Sequence, residues 1–314
     1  MKNPISNIQE INLSEIKKAI TDSGYLIEQR VESVIEKFGY YVETNPVFKD
    51  IDTGVIQEID VTALAGISIY RGKTDFIFPM IICECENNIQ PVVFFVKDFA
   101  PFFMFYEEMK CSGIPLKINT KGEVVDLSTF LGFDKFHHYC KGPFATQYCS
   151  FQQKKDTKTW MASHLESQHN TFVKLIKALE FEIIKHDKSW QPPMAGEREP
   201  VNIQMYYPLL ILQGNLLAAK LKNRRLIVEK INHIQFRKQY ISPKGENTYQ
   251  IDVITESFLS KFMTMIDKET ELIKARLIRK RKYIEQAINE IVLERKKKIE
   301  TRKNLVPGFR INGK

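Results

Sequence analysis

Between Leu26 and Phe38 the apolar residues Leu26, Ile27, Val31, Val34, Ile35 and Phe38 recur at helical spacing, and Gly39 follows where a C-terminal cap is expected. A preceding helix is predicted over 8–21. After Gly39 the period shortens. YYVETNPVF is apolar and β-favouring with turn chemistry inside it, DIDTG is a turn, and VIQEIDVTALAG reads as a strand with a short second strand at ISIY. Another turn, RGKTD, leads into FIFPMIICECE, a long apolar strand that ends in acids. NNIQ turns the chain again into the strand PVVFFVKDF. The first hundred residues therefore predict helix followed by the strands of a sheet.

Further along, FFMFYEEMK has helical character and LKINTKGEVVDL reads as a short hairpin. A long helix is predicted from Thr159 to about His186, with Leu165, Phe172, Leu175, Ile176, Leu179 and Ile183 on one side. SWQPPMAGEREP is a Pro/Gly-rich loop that marks a break near 190–200. Strand patterns follow in MYYPLLILQG, RLIVEKINHIQFRKQYI and, after the turn SPKGEN, TYQIDVI. Ser257 to about Lys303 reads as one or two helices. There Phe262, Ile273 and Ile284 repeat at 11 residues, as do Ile266, Leu277 and Ile288, and 11 residues is three helical turns. That stripe belongs to a core or to a seam with a partner helix. The pattern as a whole predicts an α/β fold, a mixed central sheet flanked by helices. Residues 1–255 are expected to form one elaborated domain with its core motifs in 25–100, and 256–314 a long basic C-terminal helical region. The later strands (203–213, 225–241, 248–254) either extend the first sheet or form a separate α+β module from about 190.

Composition changes this picture only in places. The 314 residues are 43% hydrophobic and 27% charged, ordinary for a globular chain and long enough to bury a large core. No run of 18 apolar residues and no apolar leader is visible, so no membrane span is expected and a cytoplasmic location is. Cys83, Cys85, Cys111, Cys140 and Cys149 are odd in number and irregularly spaced, which argues against a disulfide scaffold. His137, His138, Cys140 and Cys149 cluster, but without a CxxC pair or a complete finger spacing they are not expected to bind zinc. The net charge of +8 is local: Lys274 to Lys303 holds twelve lysines and arginines against four glutamates. Such a run suits either contact with a polyanion or a solvated helix face.

Candidate chemistry lies in EID at 58–60 and ECE at 84–86. Along a strand side chains alternate, so Glu84 and Glu86 share a face while Cys85 points to the other. The preceding residues Met80 to Cys83 are apolar on both parities, as in a central strand covered on both sides. Two carboxylates at the end of such a strand are costly to leave unpaired, and a divalent cation held by oxygen ligands offsets that cost. Asp60, at the polar end of its own strand, supplies a third group if the two strands are neighbours.

These residues resemble the restriction-endonuclease-like nucleases, the PD-(D/E)XK superfamily. Its order is a helix bearing Glu, a strand bearing Asp, then a (D/E)-X-K strand and a further strand. LIEQRVESVIEKFGYYVE is similar to the first helix, with Glu28 eleven residues before Gly39. EIDVTAL is similar to the Asp strand, and IICECENNIQPVVFF to the (D/E)-X-K strand and its successor, with 23 residues between Asp60 and Glu84. The resemblance covers about a quarter of the chain and departs at one position, where Glu86 stands in place of the lysine. It implies hydrolysis of phosphodiester bonds. Asp60, Glu84, the carbonyl of Cys85 and Glu86 would ligate Mg²⁺ or Mn²⁺, Glu28 would act in the outer shell, and Asp60, Glu84, Glu86 and Glu28 would form the catalytic set. Lys97, one strand on, is a candidate for the missing cation. The implied partner is nucleic acid, DNA before RNA, in restriction, repair or defence against foreign DNA, and the C-terminal helix offers a surface for a partner protein or a second copy. The competing reading is an inactive nuclease fold that binds nucleic acid or a partner protein; a third is a structural protein whose last helix forms a coiled coil.

Overall fold

The structure, a computed structural model, describes residues 11–23, 25–70, 74–88, 90–97, 109–113, 117–120, 123–163, 166–189, 200–242 and 245–305. Two helices come first, α1 (Leu13–Asp22) and α2 (Tyr25–Glu36), the former started by a capping box between Asn12 and Glu15. Strands β1 (Tyr41–Thr44), β2 (Val47–Lys49), β3 (Ile56–Glu58), β4 (Val61–Leu64), β5 (Ile67–Ser68), β6 (Phe76–Glu86) and β7 (Val92–Lys97) follow. Then come β8 (Cys111–Ser112), the hairpin β9 (Lys117–Thr120) and β10 (Glu123–Asp126), α3 (Leu127–Leu131), β11 (Phe144–Gln153), β12 (Trp160–Ser163) and α4 (Glu166–Ser189). The last third holds β13 (Asn202–Leu212), β14 (Leu216–Lys222), β15 (Arg225–Ile231), β16 (His233–Ser242), β17 (Gly245–Thr255), α5 (Leu259–Arg279) and α6 (Arg281–Leu305).

The fold is mixed α/β, with one large mixed sheet in the order β1-β4-β6-β13-β17-β16-β11-β7-β14-β15. The strands after residue 200 lie in that same sheet: β13 runs parallel to β6 in an eleven-residue register from Asn202↔Phe76 to Leu212↔Glu86. Parity along these strands separates two cores. Ile77, Ile81 and Cys83 of β6 and Tyr207, Leu209 and Ile211 of β13 pack with α2, α3, α5 and α6. Met80 and Ile82 of β6 and Tyr206 and Leu210 of β13 pack instead with Phe172, Leu175, Ile176 and Leu179 of α4. Both stripe triplets of the C-terminal helices are buried in the first of these cores, so the eleven-residue period serves this chain's own interior. Lys280 interrupts the run and divides it into α5 and α6.

Part of the C-terminal basic charge is spent inside the fold. The Arg276 guanidinium donates to the carbonyls of Leu131 and Gly132, and the Lys280 ammonium to that of Phe130, at the C-terminal end of α3 where carbonyls lack helical partners. Both cations also lie over rings, Arg276 4.4 Å from Phe136 and Lys280 4.2 Å from Phe130. Lys296 and Lys297, farther along α6, are exposed.

Several elements differ from the pattern. Residues 160–163 form β12 against β11, with Phe151 opposite Ala162, so α4 begins only at Glu166. The predicted strand RLIVEKINHIQFRKQYI breaks at Asn232, whose carbonyl accepts from the Thr255 N–H, and becomes β15 and β16. β14 pairs with β15 across a two-residue turn in which Asn223 and Arg224 both have positive φ, 50° and 63°. VIQEIDVTALAG is two strands divided at Ile59–Asp60. The FFMFYEEMK segment lies outside the described residues except at its last two positions.

The β6–β7 and β13–β14 connections both run between paired strands, β6 with β13 and β7 with β14. Between these connections the Gly214 N–H donates to Asn88 Oδ1 at 2.8 Å, and a Cβ on residue 214 would lie 2.2 Å from the Asn88 carbonyl oxygen. Only glycine permits that approach. Gly214→Ala is expected to cost about 1–3 kcal/mol, the usual penalty of overpacking, read as a lower denaturation midpoint in urea at unchanged m value.

Candidate active site

The break between β3 and β4 sets Asp60 beside the end of β6. The Asn45 N–H donates to the Asp60 carbonyl at 2.8 Å and the Ile59 N–H to that of Pro46 at 3.1 Å, so the β1–β2 turn holds the break open. Asn45 adopts φ 52°, a left-handed conformation that asparagine tolerates. Across the strands the groups interlock: the Cys85 N–H donates to Asp60 Oδ2 at 2.8 Å, and the Asp60 N–H to Glu84 Oε1 at 3.3 Å. Within a strand residue N–H and C=O point the same way, so the Cys85 carbonyl is directed to the Asp60 side while the Glu86 carbonyl accepts from the N–H of Gln213, just past the end of β13.

Glu84 and Glu86 have the parity that faces α4, and α4 answers them. Its buried stripe packs on the sheet, and Thr171 and Lys174, three residues apart on the flank of that stripe, reach the acids. The Lys174 ammonium lies 2.6 Å from Glu84 Oε1 and 3.7 Å from Asp60 Oδ1. Thr171 Oγ1 donates to Glu86 Oε1 at 2.7 Å. From the other side Asn45 Nδ2 donates to Glu28 Oε2 on α2 at 3.5 Å. One turn beyond Lys174, Lys177 binds Asp50 Oδ2 at 2.6 Å, and Tyr240 OH donates to Asp52 Oδ2 at 2.6 Å. These two contacts fasten the loop between β2 and β3 to α4 and β16, which fixes the strand carrying Asp60 relative to the helix carrying Lys174.

Negative charge exceeds what one lysine neutralises. Burial, and then the neighbouring Asp60, lift the Glu84 carboxyl to about 8 despite the opposing Lys174 ammonium and the Asp60 N–H. Burial raises Glu86 as well, against the Thr171 hydrogen bond and with the help of Asp60. Glu28 is raised by burial and by Asp60, opposed by Asn45 and Lys174. Glu28, Glu84 and Glu86 are thus all held above their ordinary range, each with Asp60 among the causes, and the side-chain donors here are all oxygen.

Of the acids chosen from the sequence, Asp60 and Glu84 meet at the Asp60 N–H and at Lys174, Asp60 holds the Cys85 N–H, and Glu28 and Glu86 lie within electrostatic reach of Asp60. The cation is a correction: Lys97 is exposed at the end of β7, paired opposite Phe144, and the lysine that meets the acids is Lys174. Neither Lys174 nor Thr171 carried a signal in the sequence beyond lying beside the apolar stripe of a helix. Asn45 had only the turn chemistry of ETNP. Comparison of the chain with protein-family models, with curated proteins and with solved structures finds no match in any of the three. No described helix is long and apolar enough to cross a membrane.

The raised Glu84 pKa has a sign that can be measured. An unfolded Glu titrates near its ordinary value of about 4.3, so folding is favoured by the bound proton below that value and this contribution is lost as pH rises toward 8. In chelator, stability should therefore fall between about pH 4.5 and 8, Glu84→Gln should flatten that limb, and Mg²⁺ should restore stability at its upper end. Urea titrations at pH 5 and pH 8, with and without Mg²⁺, check all three.

Proposed function

We propose that the chain is a divalent-metal-dependent nuclease on a restriction-endonuclease-like fold, hydrolysing phosphodiester bonds of nucleic acid, with DNA as the preferred substrate. The observation that carries the reading is Lys174 between Asp60 and Glu84. The sequence lacks a lysine at position 86, and the ammonium reaches the same cluster of acids from a helix across the face of the sheet. Glu28 on α2 lies within electrostatic reach of Lys174 and Asp60, and Glu86 on β6 within reach of Asp60, and the four acids occur in the order the superfamily resemblance implies.

Asp60, Glu84 and the Cys85 carbonyl would hold Mg²⁺ or Mn²⁺, the all-oxygen set that these ions prefer. When bound, the ion supplies Lewis-acid stabilisation of charge on the phosphate and lowers the pKa of water. The chain's own groups then have separate tasks. Lys174 faces the phosphate and offsets the charge that builds on its oxygens as a water oxygen bonds to phosphorus and the bond to the leaving oxygen breaks. Glu86, its carboxyl raised by burial and oriented by Thr171, accepts the proton of the attacking water. Solvent returns a proton to the leaving oxygen. Glu28, held by Asn45, orders water at the rim of the site.

Cleavage of plasmid and single-stranded DNA, with an RNA control, in Mg²⁺ or Mn²⁺ tests the reading. Asp60→Asn and Glu84→Gln are expected to abolish cleavage while remaining folded. Lys174→Met should lower it by about 10²- to 10³-fold, the usual cost of removing one charge-stabilising donor. Moving the ammonium to the strand with Lys174→Met/Glu86→Lys should recover part of that loss. Metal binding without cleavage by the unaltered chain would mean an inactive nuclease fold, and cleavage unaffected by Asp60→Asn would refute the site.

The exposed lysines of α6 are assigned to phosphate contact outside the site. Lys296→Gln/Lys297→Gln keeps helix propensity nearly constant. Each lost cation should reduce the slope of log affinity against log salt by roughly one, equally for all sequences. An unchanged slope in a binding titration would remove α6 from the nucleic-acid surface.

A further inference from the structure

On the opposite face of the sheet from Glu84 lies a second cluster of ionisable groups that phosphodiester chemistry does not use. His137 and His138 stand at the start of a single 3-10 turn, 138–140, that follows α3, and Glu269 comes from the middle of α5. His137 is fully buried, and Glu269 and His138 are 4% and 7% exposed. One ligand atom from each of the three lies within 4.8 Å of the other two. Glu269 Oε1 is engaged by the His138 N–H at 2.6 Å, leaving Oε2 2.8 Å from His138 Nδ1 and 3.6 Å from His137 Nε2.

Two features of this cluster favour a metal ion. His137 Nε2 is buried without a hydrogen-bond partner among the described residues and is aimed at Glu269, a costly arrangement for a polar atom. His138 Nε2 binds Asp252 Oδ2 at 3.1 Å, and Asp252, fully buried, is bound in turn by His233 at 2.7 Å. A carboxylate behind an imidazole is the outer-shell arrangement that orients a histidine ligand and makes it more basic. Both ring nitrogens of His138 face carboxylate oxygens, so its Nδ1 carries a proton that a bound ion would displace.

We propose that His137 Nε2, His138 Nδ1 and Glu269 Oε2 bind Zn²⁺, with a water molecule as the fourth ligand, in a buried structural site that joins the turn after α3 to α5. Two imidazoles and a carboxylate form a borderline donor set that favours zinc over magnesium. Loading releases one proton, that of His138 Nδ1, to solvent. On His137 the ring proton passes from Nε2 to Nδ1, and the 3.2 Å contact from the Tyr139 N–H to Nδ1 is exchanged for the metal bond. The site reinforces a junction that Arg276 and Lys280 already make on the next turns of the same helical run.

The test uses the full chain, purified without chelator, stripped, and refilled with Zn²⁺ or Co²⁺. About one zinc per chain by elemental analysis, a higher Tm on refilling and tetrahedral Co²⁺ absorption bands are expected. Calorimetry in buffers of different ionisation enthalpy should show release of about one proton per zinc. Asp252→Asn keeps the three ligands and should weaken zinc binding about 10- to 100-fold, whereas Glu269→Gln and His137→Gln should abolish it. Asp60→Asn/Glu84→Gln, which removes the nuclease site, should retain the zinc, so the two assignments fail independently. Wild-type chain that takes up no zinc and gives no Co²⁺ bands overturns the proposal, as does zinc content unchanged in both ligand variants. The wild-type measurements decide the matter even if a ligand variant does not fold.

Discussion

The parallel pairing of Phe76–Glu86 with Asn202–Leu212 is the constraint from which the rest of the molecule is built. Both strands are buried on both faces, and their register runs for eleven residues without a slip. Because side chains alternate, this register commits Ile77, Ile81, Cys83 and Cys85 of β6 to the core with α2, α5 and α6, and Met80 and Ile82 to the core with α4. A shift of one residue would send Ile81 and Cys83 to the wrong core and turn Glu84 and Glu86 away from α4. The long register therefore fixes the chemistry as firmly as it fixes the hydrophobic packing.

That division puts two charged clusters on opposite sides of one sheet. Glu84 and Glu86 face α4, where Lys174 and Thr171 meet them. Asp252, on β17, faces α5, where it meets His138 and, through His138, Glu269. The two differ in exposure and in donors. The first is carboxylate-rich and bordered by half-buried groups at the end of a strand, and the second is buried and mixes imidazole with carboxylate. The sheet between them, filled by Leu209, Leu210 and Ile211, keeps the clusters apart.

Much of the scaffold was legible because its signals are local. The strand FIFPMIICECE and the helix Tyr25–Glu36 follow from apolar periodicity within a dozen residues, and the stripe at 262, 273 and 284 is buried where its period requires. Misreadings occurred where a distant partner decided the conformation. Trp160–Ser163 carries enough polar and helix-tolerant character to be merged with α4, and it becomes a strand because β11 offers an unpaired edge. Asn232 interrupts a β-favouring run because Thr255, 23 residues away, takes its carbonyl. LLAAKLK has no strong strand signal, and it is held as β14 by pairing with β7 on one side and β15 on the other.

In the sequence by itself, alternation along one strand pointed to Glu84 and Glu86 and the polar end of another to Asp60, because those patterns are carried by neighbouring residues, while Glu28 came only from the family resemblance. The sequence also determined that Cys85 lies on the face opposite Glu84. Only the tertiary structure decided which cation meets them. Lys174 is 90 residues from Glu84 and is one lysine among many on polar helix flanks; its distinction is the packing of α4 against the even face of β6. Likewise His137 and His138 were visible as a pair, but their third partner, Glu269, lies 131 residues from His138 in a helix whose sequence marks it as one more solvent-facing acid. Periodicity specifies which face of an element is apolar. Which polar residue ends opposite which is set by the register and packing of elements distant in the chain.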